Sequence, residues 1–252
     1  MTQTQLSEET TRALDDVVTA IEGTDLPVAV LTGASGGMGR EIAADLSRDR
    51  LVVAVGRSRE RLAEAAERAG EGGVVVLPCE LGELGAIEEV FSRLPRVDAL
   101  INAAAIAPRS TVEDASVEDW QEMLSTNVVA PAELTRVLLP RLRETEGIVV
   151  FIGSGASRAV TPYNVTYAAS KHALQAVADG LRKQVAGDGV RVSTVSPGPT
   201  DTPMVQWDDD YPKAAPERLI EPGTVARSVR HVVDAPADTQ LAEVWVRPRV
   251  EA

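Results

Sequence analysis

The sequence predicts a doubly wound α/β protein, with a seven-stranded parallel sheet held between two layers of helices. Two observations carry that prediction. Short β-rich runs recur at 27–32 (PVAVLT), 51–55 (LVVAV), 73–77 (GVVVL), 97–101 (VDALI), 147–152 (GIVVFI), 190–195 (VRVSTV) and 241–246 (LAEVWV). Most are apolar throughout rather than alternating, which is the pattern of strands covered on both faces. Between them lie segments such as 59–69 and 84–94, with apolar residues about one helical turn apart. Strand–helix alternation with right-handed crossovers builds a parallel sheet in a three-layer α/β/α sandwich.

A chain of 252 residues is long enough for one such domain with a full core. An apolar fraction of 44% and a charged fraction of 25% are those of a globular protein, neither disordered nor fibrous. The formal charge is −13, from 25 basic and 38 acidic residues. That balance argues against nucleic acid or an anionic membrane as partner, because both need a basic footprint. The single cysteine, Cys79, permits no internal disulfide and reads as a small buried residue after a strand. His172 and His231 form no convincing metal site with it. The first residues, MTQTQLSEETTRALDD, lack the basic and apolar regions of a secretory signal, and no apolar run is long enough to cross a bilayer. The expectation is a cytoplasmic protein.

Residues 1–26 precede the first strand, and Leu6, Leu14, Val17, Val18 and Ile21 would form an apolar stripe on a helix there. This helical extension is expected to pack against the rest of the chain; a subunit contact is the alternative. Residues 27–252 read as one domain. The irregular stretch 198–223, rich in Pro and Asp, is expected to contain a substrate lid at about 203–222. Trp207 and Tyr211 in that lid are candidates for a pocket floor, whereas Asp208, Asp209 and Asp210 read as solvated.

The first run ends directly in Thr32-Gly33-Ala34-Ser35-Gly36-Gly37-Met38-Gly39, and a helical pattern follows from Arg40. A strand turning sharply into a helix presents bare backbone N–H groups and a positive helix end at one point. Glycines there let a pyrophosphate and the neighbouring strand approach closely, as in Rossmann-type folds. No Lys-Ser/Thr follows, so this is not a P-loop. A tight turn without a ligand is the alternative, but its place after the first strand favours a nucleotide. The second run ends Val55-Gly56-Arg57-Ser58. A carboxylate at that point would take the ribose hydroxyls of NAD(H); Arg57 instead suits the extra phosphate of NADP(H). Ser35 and Arg40 would add a donor and a second charge. Arg57 as a solvated member of the charged run RSRERL is the competing reading, and NADP(H) is preferred to NAD(H).

Tyr167 and Lys171 stand four apart in TYAASKHALQAVADGLRKQV, which reads as a long helix, so both side chains share one face. A free phenol titrates near pH 10. A neighbouring ammonium favours the phenolate, which makes tyrosine usable as an acid–base. The spacing alone is common on amphipathic helices. It gains weight from Ser154 at the end of GIVVFIGS, from Asn127 in the helical segment STNVVAPAELTRVLLPRL, and from Pro197-Gly198-Pro199-Thr200-Asp201-Thr202 after the sixth run.

In this combination and order the chain resembles the short-chain dehydrogenase/reductase family over about residues 27–248, and its last strand, AEVWVRP, looks like short NADP-dependent members. The resemblance implies that Tyr167 exchanges a proton with the substrate oxygen and that Ser154 hydrogen-bonds the same oxygen. It implies that Lys171 lowers the Tyr167 pKa and binds the nicotinamide ribose, while Asn127 holds a relay water. Thr202 would grip the nicotinamide carboxamide. Cofactor contacts are implied for Gly33, Ser35, Gly37, Met38, Gly39, Arg40, Arg57, Glu80, Leu81, Asn102, Ala104, Tyr167, Lys171, Pro197, Gly198, Thr200 and Thr202. This chain departs from the family pattern with Asn102-Ala103-Ala104-Ala105 for the usual Asn-Asn-Ala-Gly, Glu80 for Asp, and Gly153 for a common second serine. The expected activity is hydride transfer between NADP(H) and a small carbonyl or alcohol substrate, by a homodimer or homotetramer. A nucleotide-binding sensor or scaffold, and an acyl-carrier-linked 3-oxoacyl reductase, are the competing functions.

Overall fold

A computed structural model describes residues 6–70, 73–204 and 215–250. In chain order the elements are α1 (Glu8–Glu22), β1 (Val28–Thr32), α2 (Gly37–Leu46), β2 (Leu51–Gly56), α3 (Arg59–Ala69), β3 (Val74–Pro78), α4 (Leu84–Phe91) and β4 (Ala99–Asn102). They continue with α5 (Val117–Leu124), α6 (Ala130–Glu144), β5 (Ile148–Ile152), α7 (Val165–Gln184), β6 (Arg191–Pro197), α8 (Pro222–Val233) and β7 (Glu243–Val246). The seven strands form one sheet in the order β3-β2-β1-β4-β5-β6-β7, and every neighbouring pair is parallel.

Apolar runs become strands here because each must bury side chains on both faces. Along β1, Val28 and Val30 face one core, while Ala29 and Leu31 face the other. The first core is closed by α1, α4, α6 and α7 through Leu14, Phe91, Leu138 and Leu174. The second is closed by α2, α3 and α8 through Ile42, Leu62 and Val229. The predicted three layers follow directly from that alternation.

The N-terminal stripe behaves as a core face. Ser7 caps α1 by accepting the Thr10 N–H at 3.0 Å, and Glu8 and Glu9 complement the positive helix end. Leu14, Val17 and Ile21 are buried in the first core, with Leu6 and Val18 packed at its margin.

Strand order reverses between β1 and β4, and loops leaving their carboxyl ends diverge there into a crevice, where ligands bind in such sheets. The chain also leaves and re-enters this edge at one place: Ile220 N–H donates to Pro199 O at 2.8 Å and Asp201 N–H to Ile220 O at 3.0 Å. These bonds pin both ends of the predicted lid. Trp207, Tyr211 and Asp208–Asp210 lie outside the described residues. The helical segment around Asn127 differs from its sequence reading, because Ser125–Val129 is a π-helical turn set between α5 and α6.

Candidate active site

The glycine turn is built by close approach. Gly33 has φ +67°, which favours glycine, and a Cβ on it would lie 2.8 Å from Ala104 N. A Cβ on Gly37 would meet Thr202 Cγ2 at 2.8 Å, so the start of α2 abuts the loop after β6. Gly39 faces the Gly33 carbonyl, where a Cβ has no room. The first N–H groups of α2 and its positive end therefore open onto the crevice between β1 and β4.

The segment after β4 is held by Thr32, whose Oγ1 accepts the N–H groups of Ala103 at 3.0 Å and Ala104 at 3.1 Å. That hydroxyl gives the Ala103 segment an anchor from β1. Asn102 is buried, and its Nδ2 points to Thr135 Oγ1 at 3.4 Å. Its side chain thus faces α6, leaving the backbone of this segment to face the crevice.

At the end of β2 the basic residues converge. Arg40 Nε and Arg61 Nη2 both donate to Ser35 O, at 3.1 and 3.3 Å. Arg57 extends into solvent, 74% exposed, with Nε 3.8 Å from Glu80 Oε2. Glu80 also accepts the Gly82 N–H at 3.0 Å, which fixes the turn carrying Leu81. Arg61 was missed by the sequence reading. Its only signal was its place four residues after Arg57, within the charged run RSRERL.

The catalytic candidates gather at a cleft of about 600 Å³ lined by Ser154, Tyr167, Lys171, Pro197, Thr200 and Thr202. Met38, Ala103 and Gly198 also face it. Tyr167 and Lys171 project from one face of α7. Ser154 lies two residues beyond β5 rather than within it, where its Oγ accepts the Ala156 N–H at 3.1 Å and bonds the Tyr167 phenol. Glycine precedes it for a spatial reason: a Cβ on Gly153 would lie 2.5 Å from Ser196 Oγ and 2.8 Å from Thr194 Cγ2.

Electrostatics in the cleft differ from the implied roles. Burial pushes the Tyr167 phenol above its ordinary value, and the Ser154 hydrogen bond opposes this only partly. Lys171 is 3% exposed; its Nζ donates to Ile152 O at 2.9 Å and lies 5.7 Å from the Tyr167 ring centroid. Burial pushes that ammonium down to about 8. Burial sets the direction of the Tyr167 shift, and Lys171 is not among its causes here.

Asn127 is brought close to the set, and its side chain is hydrogen-bonded. Its Oδ1 accepts Ile106 N–H and its Nδ2 donates to Ile106 O, both at 2.9 Å. The same Nδ2 lies 3.1 Å from Ser170 Oγ, which itself donates to Tyr167 O at 2.7 Å. Asn127 thus ties the loop after β4 to the helix of Tyr167.

Fold and site together define an oxidoreductase of the doubly wound α/β class. The short chain dehydrogenase family model matches residues 27–211. An uncharacterised oxidoreductase of Staphylococcus saprophyticus is 32% identical over 230 residues, which cover 88% of this chain and 97% of that protein. An alcohol dehydrogenase from the archaeon Thermococcus sibiricus, complexed with 5-hydroxy-NADP, superposes with a TM-score of 0.80 at 25% identity, over 90% of this chain and 99% of that one. A metagenomic short-chain oxidoreductase in complex with NADP gives a TM-score of 0.76 at 28% identity, over 89% and 98%. The chain belongs to the short-chain dehydrogenase/reductase family. Among the described residues no helix is long and apolar enough to cross a membrane.

Proposed function

We propose that the chain is an NADP(H)-dependent oxidoreductase that interconverts a small carbonyl compound and its alcohol, with Tyr167 as the acid–base. The observation that carries this is the Ser154–Tyr167–Lys171 set, with Lys171 buried and the other two half-buried, in a cleft that opens onto the glycine turn of α2. The residues present fit the cofactor. Gly33, Gly37 and Gly39 clear space at a helix N-terminus for a pyrophosphate. Arg57, with Arg40 and Arg61 at Ser35, offers guanidinium groups to a ribose phosphate. The segments at Glu80–Leu81 and Asn102–Ala104 would hold the adenosine side, and Pro197, Gly198, Thr200 and Thr202 the nicotinamide side. Hydride exchange at the substrate carbon is the chemistry that bound NADP(H) supplies.

The protein's part is position and proton. The Tyr167 phenol, protonated at neutral pH, donates its proton to the carbonyl oxygen in the reducing direction. Ser154 Oγ hydrogen-bonds that oxygen as negative charge develops on it. Lys171, balanced near neutrality, replenishes charge beside Tyr167 and offers its Nζ to the ribose. Asn127 is a positioning residue, fixing the loop after β4 against α7.

The test is NADPH and NADH oxidation over aldehydes, ketones, dicarbonyls and sugars, for the wild type and Tyr167→Phe. Turnover with NADPH, absent in the variant while NADPH still binds, is the expected result. Retained turnover in Tyr167→Phe would refute the mechanism. Equal or better rates with NADH would refute the cofactor preference. NADPH binding without turnover on any carbonyl would move the chain to the sensor reading.

A further inference from the structure

Beyond Ser154 and Tyr167 the cleft is walled by two short segments, one after β4 and one before α7. The first is clamped at both ends. Ile106 engages the Asn127 amide through both its backbone groups, each at 2.9 Å. Ser110 donates its N–H to Tyr163 O at 3.0 Å and accepts the Val165 N–H at 3.3 Å, and its Oγ lies 2.7 Å from Thr166 Oγ1. Between the clamps lie Ala107, Pro108 and Arg109. The Pro108 ring fixes its own φ and steers Ala107 to extended backbone, so this stretch has little freedom left. The second segment is tied too: Ala159 N–H donates to Gly155 O at 3.2 Å, and Thr161 N–H to Asn164 Oδ1 at 3.0 Å. What these segments offer the cleft is largely carbon, from Ala107, Pro108, Ala156, Ala159 and Pro162, joined by Met204. Pro108, Ala159, Pro162 and Met204 are exposed there.

We infer that the substrate carries an uncharged, apolar group of several carbons on its reacting carbon, seated against this preformed wall. This rests on the oxidoreductase reading above and specifies its substrate class. The wall is continuous with the Ser154 and Tyr167 hydroxyls in one cleft, so what covers it is the remainder of the molecule whose oxygen meets them. Methyl and ring carbons return no hydrogen bond to a hydroxyl or carboxylate that has given up its water. An alkyl or ring group needs no such partner and is driven there by its own dehydration. Arg109 and Arg247 also line the cleft, and each is engaged by other groups of the chain, Arg109 over the ring of Tyr163 at 5.9 Å from its centroid. The clamps bear on selection as well, because a wall that cannot retreat discriminates by size. Ala107 stands half-buried between them, so a larger side chain at that position takes its volume from the substrate.

The experiment measures kcat/KM with NADPH for methyl ketones from butanone to octanone, and for ketones of equal length that end in a hydroxyl or a carboxylate. Each added methylene should raise it by about 3-fold over the first members. A hydroxyl or carboxylate end should lower it by about 10-fold or more against the plain ketone of equal length. In Ala107→Leu the ratio of octanone to butanone should fall by about 10-fold, because the new side chain claims the space of the longer chain. If Ala107→Leu does not fold, Ala159→Leu should lower the same ratio. Values that stay flat or fall with chain length would overturn this inference alone. So would polar-ended ketones used as well as plain ones, turnover confined to sugars, or an equal loss for octanone and butanone in the variant. No turnover of any carbonyl would overturn the oxidoreductase reading and this inference with it.

Discussion

Replacing Lys171 by Met should make the cofactor-free chain more stable at neutral pH even as it removes activity. Lys171 is almost wholly buried, and burial brings its ammonium down to about 8 from an ordinary 10.5. At about 1.4 kcal/mol per pH unit, that gap is a penalty of roughly 3 kcal/mol on the folded state wherever both states hold the proton. Below pH 8 the penalty is present in full. Between about 8 and 10.5 the unfolded chain holds more protons than the folded one, so stability rises with pH through that window. Met fills a similar volume without charge but forfeits the bond to Ile152 O, worth about 1 kcal/mol, which leaves a net gain of roughly 2 kcal/mol at pH 7. The assay is urea unfolding of wild type and Lys171→Met at pH 7 and at about pH 9.5, each without cofactor. The lost hydrogen bond shifts both measurements alike, so the decisive quantity is the change in the difference between the two proteins. It should shrink by about 2 kcal/mol across that interval. A difference that stays constant would mean that Lys171 titrates normally, and the account of its burial would be wrong.

Arg61→Ala should raise the dissociation constant for NADPH by about 10-fold and leave that for NADH within about 2-fold, as read by fluorescence titration. An equal effect on both cofactors would remove Arg61 from the phosphate site. Gly153→Ser, although it restores the residue common in the family, should lower stability by about 1–3 kcal/mol in chemical denaturation, because Ser196 and Thr194 occupy the space. A neutral result would show that β6 yields easily. Leu14→Ala should cost about 2–5 kcal/mol in the same measurement if α1 is part of the cooperative core, and under about 0.5 if the helix is merely attached.

Much of the fold was legible because its signals are local. Unbroken apolar runs specify buried strands, and the order of β1 and its glycine turn places the nucleotide crevice without knowledge of any distant contact. Tyr167 and Lys171 were legible for the same reason, since helical spacing alone puts them on one face. Their pKa values were not. Spacing shows that an ammonium is near a phenol, but only packing shows that Lys171 is buried and that burial is the largest influence on the Tyr167 phenol. The π-helical turn holding Asn127 was hidden in the same way: STNVVAP reads as continuous helix, and the extra residue in the turn is selected by the tie to Ile106 and Ser170.

The residues that sequence reading missed share one property, which is that their meaning comes from elements far apart in the chain. Thr32 looked like the last residue of a strand, yet its hydroxyl anchors the loop 71 and 72 residues later. Arg247 sits in a polar tail after β7, with nothing nearby to distinguish it from a solvated arginine. It reaches the cleft because β7 pairs with β6, in the register Pro197↔Val246, which carries the tail back over Gly198 and Gly155. The edge strand of a parallel sheet thereby does more than extend the sheet. By ending beside the loop of Ser154, β7 brings Arg247 into the lining of the cleft next to Gly155, where the last strand meets the candidate catalytic loop.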